Sequence, residues 1–174
     1  HCIATYPGDM AVALTALDAS VEITGGAGDI RTVAVADFHR LPGDRPEKDN
    51  VLEPGEVITA VRLPAPAGGR QIYRKVRDRA SYAFALVSIA AVVRMEEGKI
   101  ASAALAFGGL AHKPWRDRCV EDLLSGQTPS DALFDEAAER LLADARGYGA
   151  NDFKIPMARR TLKAVLREAT GGAA

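Results

Sequence analysis

The sequence predicts an α+β fold, with strands following one another along the chain and helices gathered near its end. Two observations carry this reading. Short β-prone runs fall between residues 20 and 107, whereas the amphipathic stretches with helix caps fall after residue 115. A third observation divides the strands into two groups: the segment Pro64-Ala65-Pro66-Ala67-Gly68-Gly69 cannot supply a continuous ladder, because proline lacks the backbone donor.

Residues 9–19 read as a helix, with Asp9 at the N-cap and Met10, Leu14 and Leu17 on one face. Residues 20–24 and 31–35 alternate like two strands of a hairpin around Gly25-Gly26-Ala27-Gly28-Asp29. Those glycines are turn residues and not a phosphate cradle, since no Rossmann or P-loop spacing surrounds them. Residues 41–54 are polar and read as a surface loop, and 56–63 as a strand stopped by Pro64 and Pro66.

The second group begins with a strand at 71–76, continues with 85–95, turns at Glu96-Glu97-Gly98 and returns through 99–107. Three helices are expected to cover this sheet. Residues 115–125 close at Gly126, Ser130 caps 131–145, and 155–170 end at Gly171 with Pro156 tolerated in the first turn. Leu133, Ala137, Leu141 and Ala145 share one stripe, as do Met157, Leu162, Val165 and Ala169, and both stripes are assigned to the core.

Composition narrows the function classes. Of the 174 residues, 48% are hydrophobic and 26% charged, and the net charge is −1, so no global field directs the chain to nucleic acid or a membrane surface. No apolar run reaches the roughly 18 residues that a membrane span needs. With only Cys2 and Cys119, the chain holds neither a disulfide framework nor a cysteine-only metal site of its own. His1, His39 and His112 lack zinc spacing and read as surface or loop residues.

The densest charge lies between Arg74 and Arg79, where Val76 alone is uncharged. Four cations beside an apolar strand repel one another unless an anion or acidic partner offsets them, or unless the segment is simply a solvated hairpin flank. A nucleic-acid platform is disfavoured, because only Tyr73 and Tyr82 lie nearby.

Several motifs stand in one order along almost the whole chain. They are Cys2-Ile3-Ala4-Thr5 with Pro7-Gly8-Asp9-Met10-Ala11, Leu52-Glu53-Pro54-Gly55-Glu56-Val57-Ile58, Val61-Arg62-Leu63-Pro64, Tyr73-Arg74-Lys75-Val76-Arg77-Asp78-Arg79, Phe107-Gly108-Gly109-Leu110-Ala111, Lys113-Pro114-Trp115-Arg116 and Asn151-Asp152-Phe153-Lys154-Ile155. In this order they resemble the FAD-binding medium subunit of the molybdenum hydroxylase and xanthine dehydrogenase family, with the flavour of the bacterial aldehyde oxidoreductases.

The resemblance implies that residues 1–66 are the C-terminal part of a two-part FAD-binding domain. Residues 67–174 would then be the flavoprotein C-terminal domain, a three-stranded antiparallel sheet under three helices. It implies FAD as cofactor, with the molybdenum cofactor and iron–sulfur clusters elsewhere in the complex. Implied partners are the N-terminal remainder of the same subunit, which carries the glycine-rich diphosphate segments, an iron–sulfur small subunit and a molybdenum large subunit. Opening on His1 in mid-motif, the chain resembles a C-terminal piece that would bind FAD poorly alone. The compartment stays open between cytoplasm and periplasm, because a folded complex exported with a partner leaves no mark here.

Flavin chemistry asks the protein for anchoring and electrostatic tuning, so the implied site residues are binders and no catalytic residue is expected. The resemblance puts Asp9 beside the ribityl and ribose hydroxyls, a role compatible with helix capping. It puts Leu52 against a ring of the flavin or adenine, or else in the core. Lys75 or Arg74 would be the cation facing the isoalloxazine, where it favours the reduced, anionic form; strand alternation admits only one, and Lys75 is preferred. Tyr73 and Tyr82 are candidates for stacking or hydrogen bonding near the ring, Trp115 for filling a sheet–helix junction, and Arg116 for facing a partner subunit. Cys2 is a small buried thiol or an iron–sulfur ligand completed by upstream cysteines. The alternative function is a non-catalytic docking module, with the flavin held wholly by the N-terminal remainder.

Overall fold

Two three-stranded antiparallel sheets organise the computed structural model, which describes residues 2–172. In chain order the elements are α1 (Asp9–Ala16), β1 (Ser20–Thr24), β2 (Ile30–Ala34), α2 (Val35–Phe38), β3 (Val57–Arg62), β4 (Arg70–Val76), β5 (Val87–Glu96), β6 (Lys99–Gly108), α3 (Arg118–Leu124), α4 (Asp131–Leu141) and α5 (Lys154–Ala169). The first sheet runs β2-β1-β3 and the second β4-β5-β6. No helix among the described residues is long and apolar enough to cross a membrane.

The second sheet carries the main core. Alternate residues Val87, Ile89, Ala91 and Val93 of β5, with Leu105 and Phe107 of β6, meet Val120 and Leu124 of α3, Phe134 and Leu141 of α4, and Leu162, Val165 and Leu166 of α5. Each of the larger of these side chains contributes about 1.5–3 kcal/mol by leaving water, far more than any single exposed ion pair. The intervening residues of β5 are buried too, because α1 covers the other face: Val12 and Ala16 pack on Ala90 and Ala106. That double cover explains the unbroken apolar run in β5.

The helix ends differ from the sequence pattern in instructive ways. Helix α1 stops at Ala16, three residues short of expectation, because Asp18 takes a left-handed conformation (φ 54°). The N–H of Ala19 then bonds the carbonyl of Leu14 at 3.0 Å and that of Asp18 the carbonyl of Thr15 at 3.3 Å, a Schellman ending with aspartate where glycine is usual. Its N-cap is Gly8, so Asp9 is the first helical residue and not the cap. The buried side of α1 is Ala11, Val12, Thr15 and Ala16, whereas Met10 of the expected stripe is exposed. Trp115 does not open α3; it exchanges backbone hydrogen bonds with Phe107 at 2.8 and 2.9 Å and stays partly exposed. Asp117 caps α3 through the Cys119 N–H and Ser130 caps α4 through the Leu133 N–H. Helix α4 ends at Leu141, leaving Ala145 exposed, and Phe134 supplies the bulk that the expected stripe lacked.

Arg116, a candidate for facing a partner, has a side chain only 7% exposed that is spent inside the chain. It donates to the carbonyl of Thr15 at 2.5 Å and to Asp18 at 3.0 Å, and it grips both carboxylate oxygens of Glu121 at 2.7 and 3.1 Å. Glu121, itself 6% exposed, also accepts the Leu105 N–H of β6 at 2.7 Å. The cation thereby adds a second donor to the Thr15 carbonyl, which also accepts the Asp18 N–H, and complements the negative helix end.

The first sheet has a smaller core of Ala19, Val21, Ile23, Val35 and Phe38, against which Leu14 of α1 and Leu52 pack. Helix α1 therefore contributes to both cores: Leu14 to this one, Val12 and Ala16 to the other.

Close approach of α1 to the second sheet requires glycine at 108. A Cβ there would lie 2.4 Å from Ser88 Oγ and 2.9 Å from Val12 Cγ2. Gly108→Ala should destabilise the protein by about 1–3 kcal/mol through overpacking, and Val12→Ala added to it should recover part of the loss, both read by urea unfolding.

Candidate functional site

Strand alternation separates the charges of β4. Tyr73 and Lys75 pair with Ala90 and Ser88 of β5 and share the face covered by α1, whereas Arg74 points to α5. The N-terminal turn of α1 ends directly over this strand. Lys75 Nζ donates to Asp9 Oδ2 at 2.7 Å, and the Tyr73 hydroxyl donates to Asp9 Oδ1 at 2.9 Å. Arg74 makes a salt bridge with Glu168 on α5, and Arg70 donates to the Glu168 carbonyl at 2.6 Å. Arg74 and Lys75 thus lie on opposite faces of β4, by the period of two that a strand imposes.

The crowding of cations inferred from the sequence is answered by acidic partners within the chain, Asp9 for Lys75 and Glu168 for Arg74. Beyond β4, Arg77 adds to the positive field at Asp9. Arg79 lies 5.7 Å from the Tyr82 ring centroid and donates to the Tyr82 carbonyl. Tyr82 is 94% exposed with a positive φ of 53°, so the loop after β4 presents this ring to solvent.

The protonation states follow from these contacts. Partial burial acts to raise the Asp9 carboxyl, but hydrogen bonds from Lys75 and Tyr73 outweigh it and hold the group below the usual aspartate value. Tyr73 is pushed up to about 12 chiefly by burial, against an opposing hydrogen bond with Ser88 and with the neighbouring Asp9 carboxylate adding to the rise. The tyrosine therefore stays a donor and the aspartate an acceptor at neutral pH. Both members of the ion pair remain partly open, Lys75 at 20% and Asp9 at 46% exposure. Such a pair contributes only about 0–1 kcal/mol, so the site orients charges more than it stabilises the fold.

Leu52 lies with the first-sheet core, half-buried, at the entrance of a tightly bonded turn. Asn50 Oδ1 accepts the Leu52 N–H at 2.9 Å, and Glu56 accepts the Glu53 N–H at 2.7 Å while binding Arg31 through both carboxylate oxygens at 2.7 and 2.8 Å. Gly55 provides the positive φ of 86° that closes the turn. The Arg31 guanidinium, helped by the Glu53 N–H, pulls the Glu56 carboxyl down to about 2.

The remaining candidates stand apart. His39, in the loop after α2, is half-buried: its ring packs edge-on against Tyr6 at 4.7 Å between centroids, and burial lowers its pKa against an opposing backbone contact with Val35. His112 Nε2 bonds the Cys2 carbonyl, and the Cys2 sulfur accepts the Ala4 N–H at 3.4 Å. His1 lies outside the described residues. No group of three or more metal-ligating side chains occurs among the described residues. The sequence reading passed over Tyr73 as a partner of Asp9 and gave Glu121 no role; a tyrosine two residues before the lysine on the same strand was the available signal for the first.

Residues 71–169 match the CO dehydrogenase flavoprotein C-terminal domain, and residues 2–66 match the FAD binding domain in molybdopterin dehydrogenase. The chain belongs to the FAD-binding medium subunits of the molybdenum hydroxylases. It is 49% identical to the aldehyde oxidoreductase FAD-binding subunit PaoB of Escherichia coli over 97% of this chain and 50% of that protein. It is 30% identical to the carbon monoxide dehydrogenase medium chain of Afipia carboxidovorans, over 92% of this chain and 55% of that one. Among solved structures, reconstituted CO dehydrogenase from Oligotropha carboxidovorans superposes with a TM-score of 0.81 at 26% identity, covering 95% of this chain and 57% of the other. The chain spans about half the length of the curated relatives it matches.

FAD is the cofactor of this family, and the residues at the α1 N-terminus suit it. A carboxylate held ionised can accept from ribityl hydroxyls, while an ammonium 2.7 Å away can face an electron-rich ring, and both are reachable from solvent.

The depressed Glu56 carboxyl gives a pH test of the turn beside Leu52. Because its folded value lies below the ordinary 4.5, the stability it adds is complete above that value and is lost as pH falls from 4.5 through about 2. The difference in melting temperature between the protein and Glu56→Gln should be constant above pH ~5 and shrink below it, followed by calorimetry across that range.

Proposed function

We propose that this chain is part of the FAD-carrying electron-transfer subunit of a molybdenum hydroxylase that oxidises aldehydes or heterocycles, with Asp9 and Lys75 on the wall facing the flavin. The observation that carries the reading is the meeting of Asp9, Lys75 and Tyr73 at the N-terminus of α1, which joins residues more than sixty positions apart into one polar cluster. Asp9 accepts the hydroxyls of the ribityl chain. Lys75 places a positive charge beside the isoalloxazine, and because its side chain is only 20% exposed, that charge is partly shielded from water. Tyr73 holds the carboxylate in place and keeps its proton. Leu52, at the edge of the first-sheet core, offers an aliphatic surface to a ring of the cofactor.

FAD, when bound, accepts electrons from iron–sulfur clusters and passes them to an external acceptor. Oxidation of the substrate takes place on a molybdenum cofactor in a large subunit, so no residue of this chain touches the substrate. This assignment rests on relatives described as an aldehyde oxidoreductase FAD-binding subunit and as medium chains of dehydrogenases. The partners are a small iron–sulfur subunit, a large molybdenum subunit and further polypeptide of the flavin subunit itself. The border between the two units lies at residues 64–69, consistent with family matches that end at 66 and resume at 71. Helix α1 crosses that border in space, reaching from the first unit onto the sheet of the second.

Asp9→Ala and Lys75→Ala in the intact subunit should each weaken FAD binding about tenfold or more, the size of a hydrogen bond to a charged group. Flavin absorbance retained through gel filtration measures this. Retention unchanged in both variants would instead identify a docking module whose flavin is held by the rest of the subunit.

A further inference from the structure

We propose that Arg116 is a positioning residue for the flavin site, fixing the far end of α1 so that Asp9 at its near end stays over Lys75 and Tyr73. The proposal rests on the flavin reading of Asp9 given above. Its geometry is that of a short rod held at two points. Helix α1 has eight residues, about 12 Å of rise, below the length at which a helix is stable by itself. Tertiary contacts alone keep it in place.

Its side contacts seat it closely on the second sheet, where Val12 and Ala16 meet Ala90 and Ala106, while Leu14 packs on the first-sheet core; small groups on the sheet side leave the axial position to be set largely at the helix ends. Beside them lies a cavity of about 200 Å³, lined by Ala13, Ala16, Leu17, Ile72, Tyr73 and Ala90. The helix thus has room to settle toward β4 if an end comes loose. At the C-terminal end Arg116 is what holds it: one guanidinium reaches the Thr15 carbonyl, Asp18 beyond the helix end and both oxygens of Glu121, which is tied in turn to the β6 backbone through Leu105. Arg118 joins Asp18 and Glu121 only from the surface, with its side chain 62% exposed. At the N-terminal end, Asp9 is held by the exposed pair with Lys75, which a bound ligand would loosen by competing for the same atoms. The rigid end is therefore the Arg116 end, and the position of Asp9 in the occupied site depends on it.

Lysine cannot reproduce the fork, since a single ammonium reaches neither both Glu121 oxygens nor the helix carbonyls in the same geometry. The test compares four forms of the intact subunit, unsubstituted, Asp9→Asn, Arg116→Lys and the double variant, measuring the FAD dissociation constant and the midpoint potential of the bound flavin. Arg116→Lys should raise the dissociation constant about tenfold when Asp9 is present and less than about threefold in the Asp9→Asn background, the non-additivity of residues that act as one unit. It should also move the potential in the same direction as Asp9→Asn does. Equal losses in both backgrounds, or an unmoved potential, would overturn the proposal and leave Arg116 a purely structural clamp. An Asp9→Asn protein that binds FAD unchanged would defeat the flavin reading itself, and the proposal with it. If Arg116→Lys does not fold, the pair Arg116→Met with Glu121→Met removes the buried charges together and is read against the same two criteria.

Discussion

Strand β5 has no free face, and the rest of the molecule is arranged to satisfy it. From Val87 to Val93 every residue is buried, so one layer of apolar side chains must be met by α3, α4 and α5 and the other by α1. The first demand builds the C-terminal core. The second recruits a helix from the other sheet's side of the chain and, by placing it across the sheet, sets its first residue over β4. The polar cluster of Asp9, Tyr73 and Lys75 is a consequence of apolar cover, positioned by packing that is worth far more than the cluster's own ion pair.

Two kinds of electrostatics divide the labour. The Arg116–Glu121 pair is buried and saturated with hydrogen bonds, the condition under which removing one partner costs about 3–5 kcal/mol, and it belongs to the architecture. The Lys75–Asp9 pair is half open and energetically slight, which suits groups that must exchange each other for a ligand. Burial, more than distance, tells them apart, since Nε of Arg116 and Nζ of Lys75 both lie 2.7 Å from their carboxylates.

Much of the fold was legible in the sequence because its signals are local. Strand runs, the Ser130 cap and the proline-rich break sit within a few residues of what they specify. That Arg74 and Lys75 point to opposite faces was legible too, because a strand has a period of two, but the sequence left open which of them would face a cofactor. What escaped had no local cause. Met10, Leu14 and Leu17 look like a helix face, yet α1 buries Val12 and Ala16, because small residues are what a close approach to Ala90, Ala106 and Gly108 permits. The early end of α1 depends on an aspartate in a glycine conformation. Arg116 contacts residues about a hundred positions away, a relation no window of sequence displays.

The central claim is that apolar packing of α1 delivers a carboxylate and an ammonium to one wall of a flavin pocket. A crystal structure of the intact, FAD-loaded subunit tests it most directly. The account predicts α1 seated on β5 and β6, with oxygen atoms of Asp9 and the Lys75 nitrogen each at hydrogen-bond distance, about 3 Å, from polar atoms of the cofactor. A flavin bound elsewhere, with Asp9 and Lys75 still paired only to each other, would contradict it.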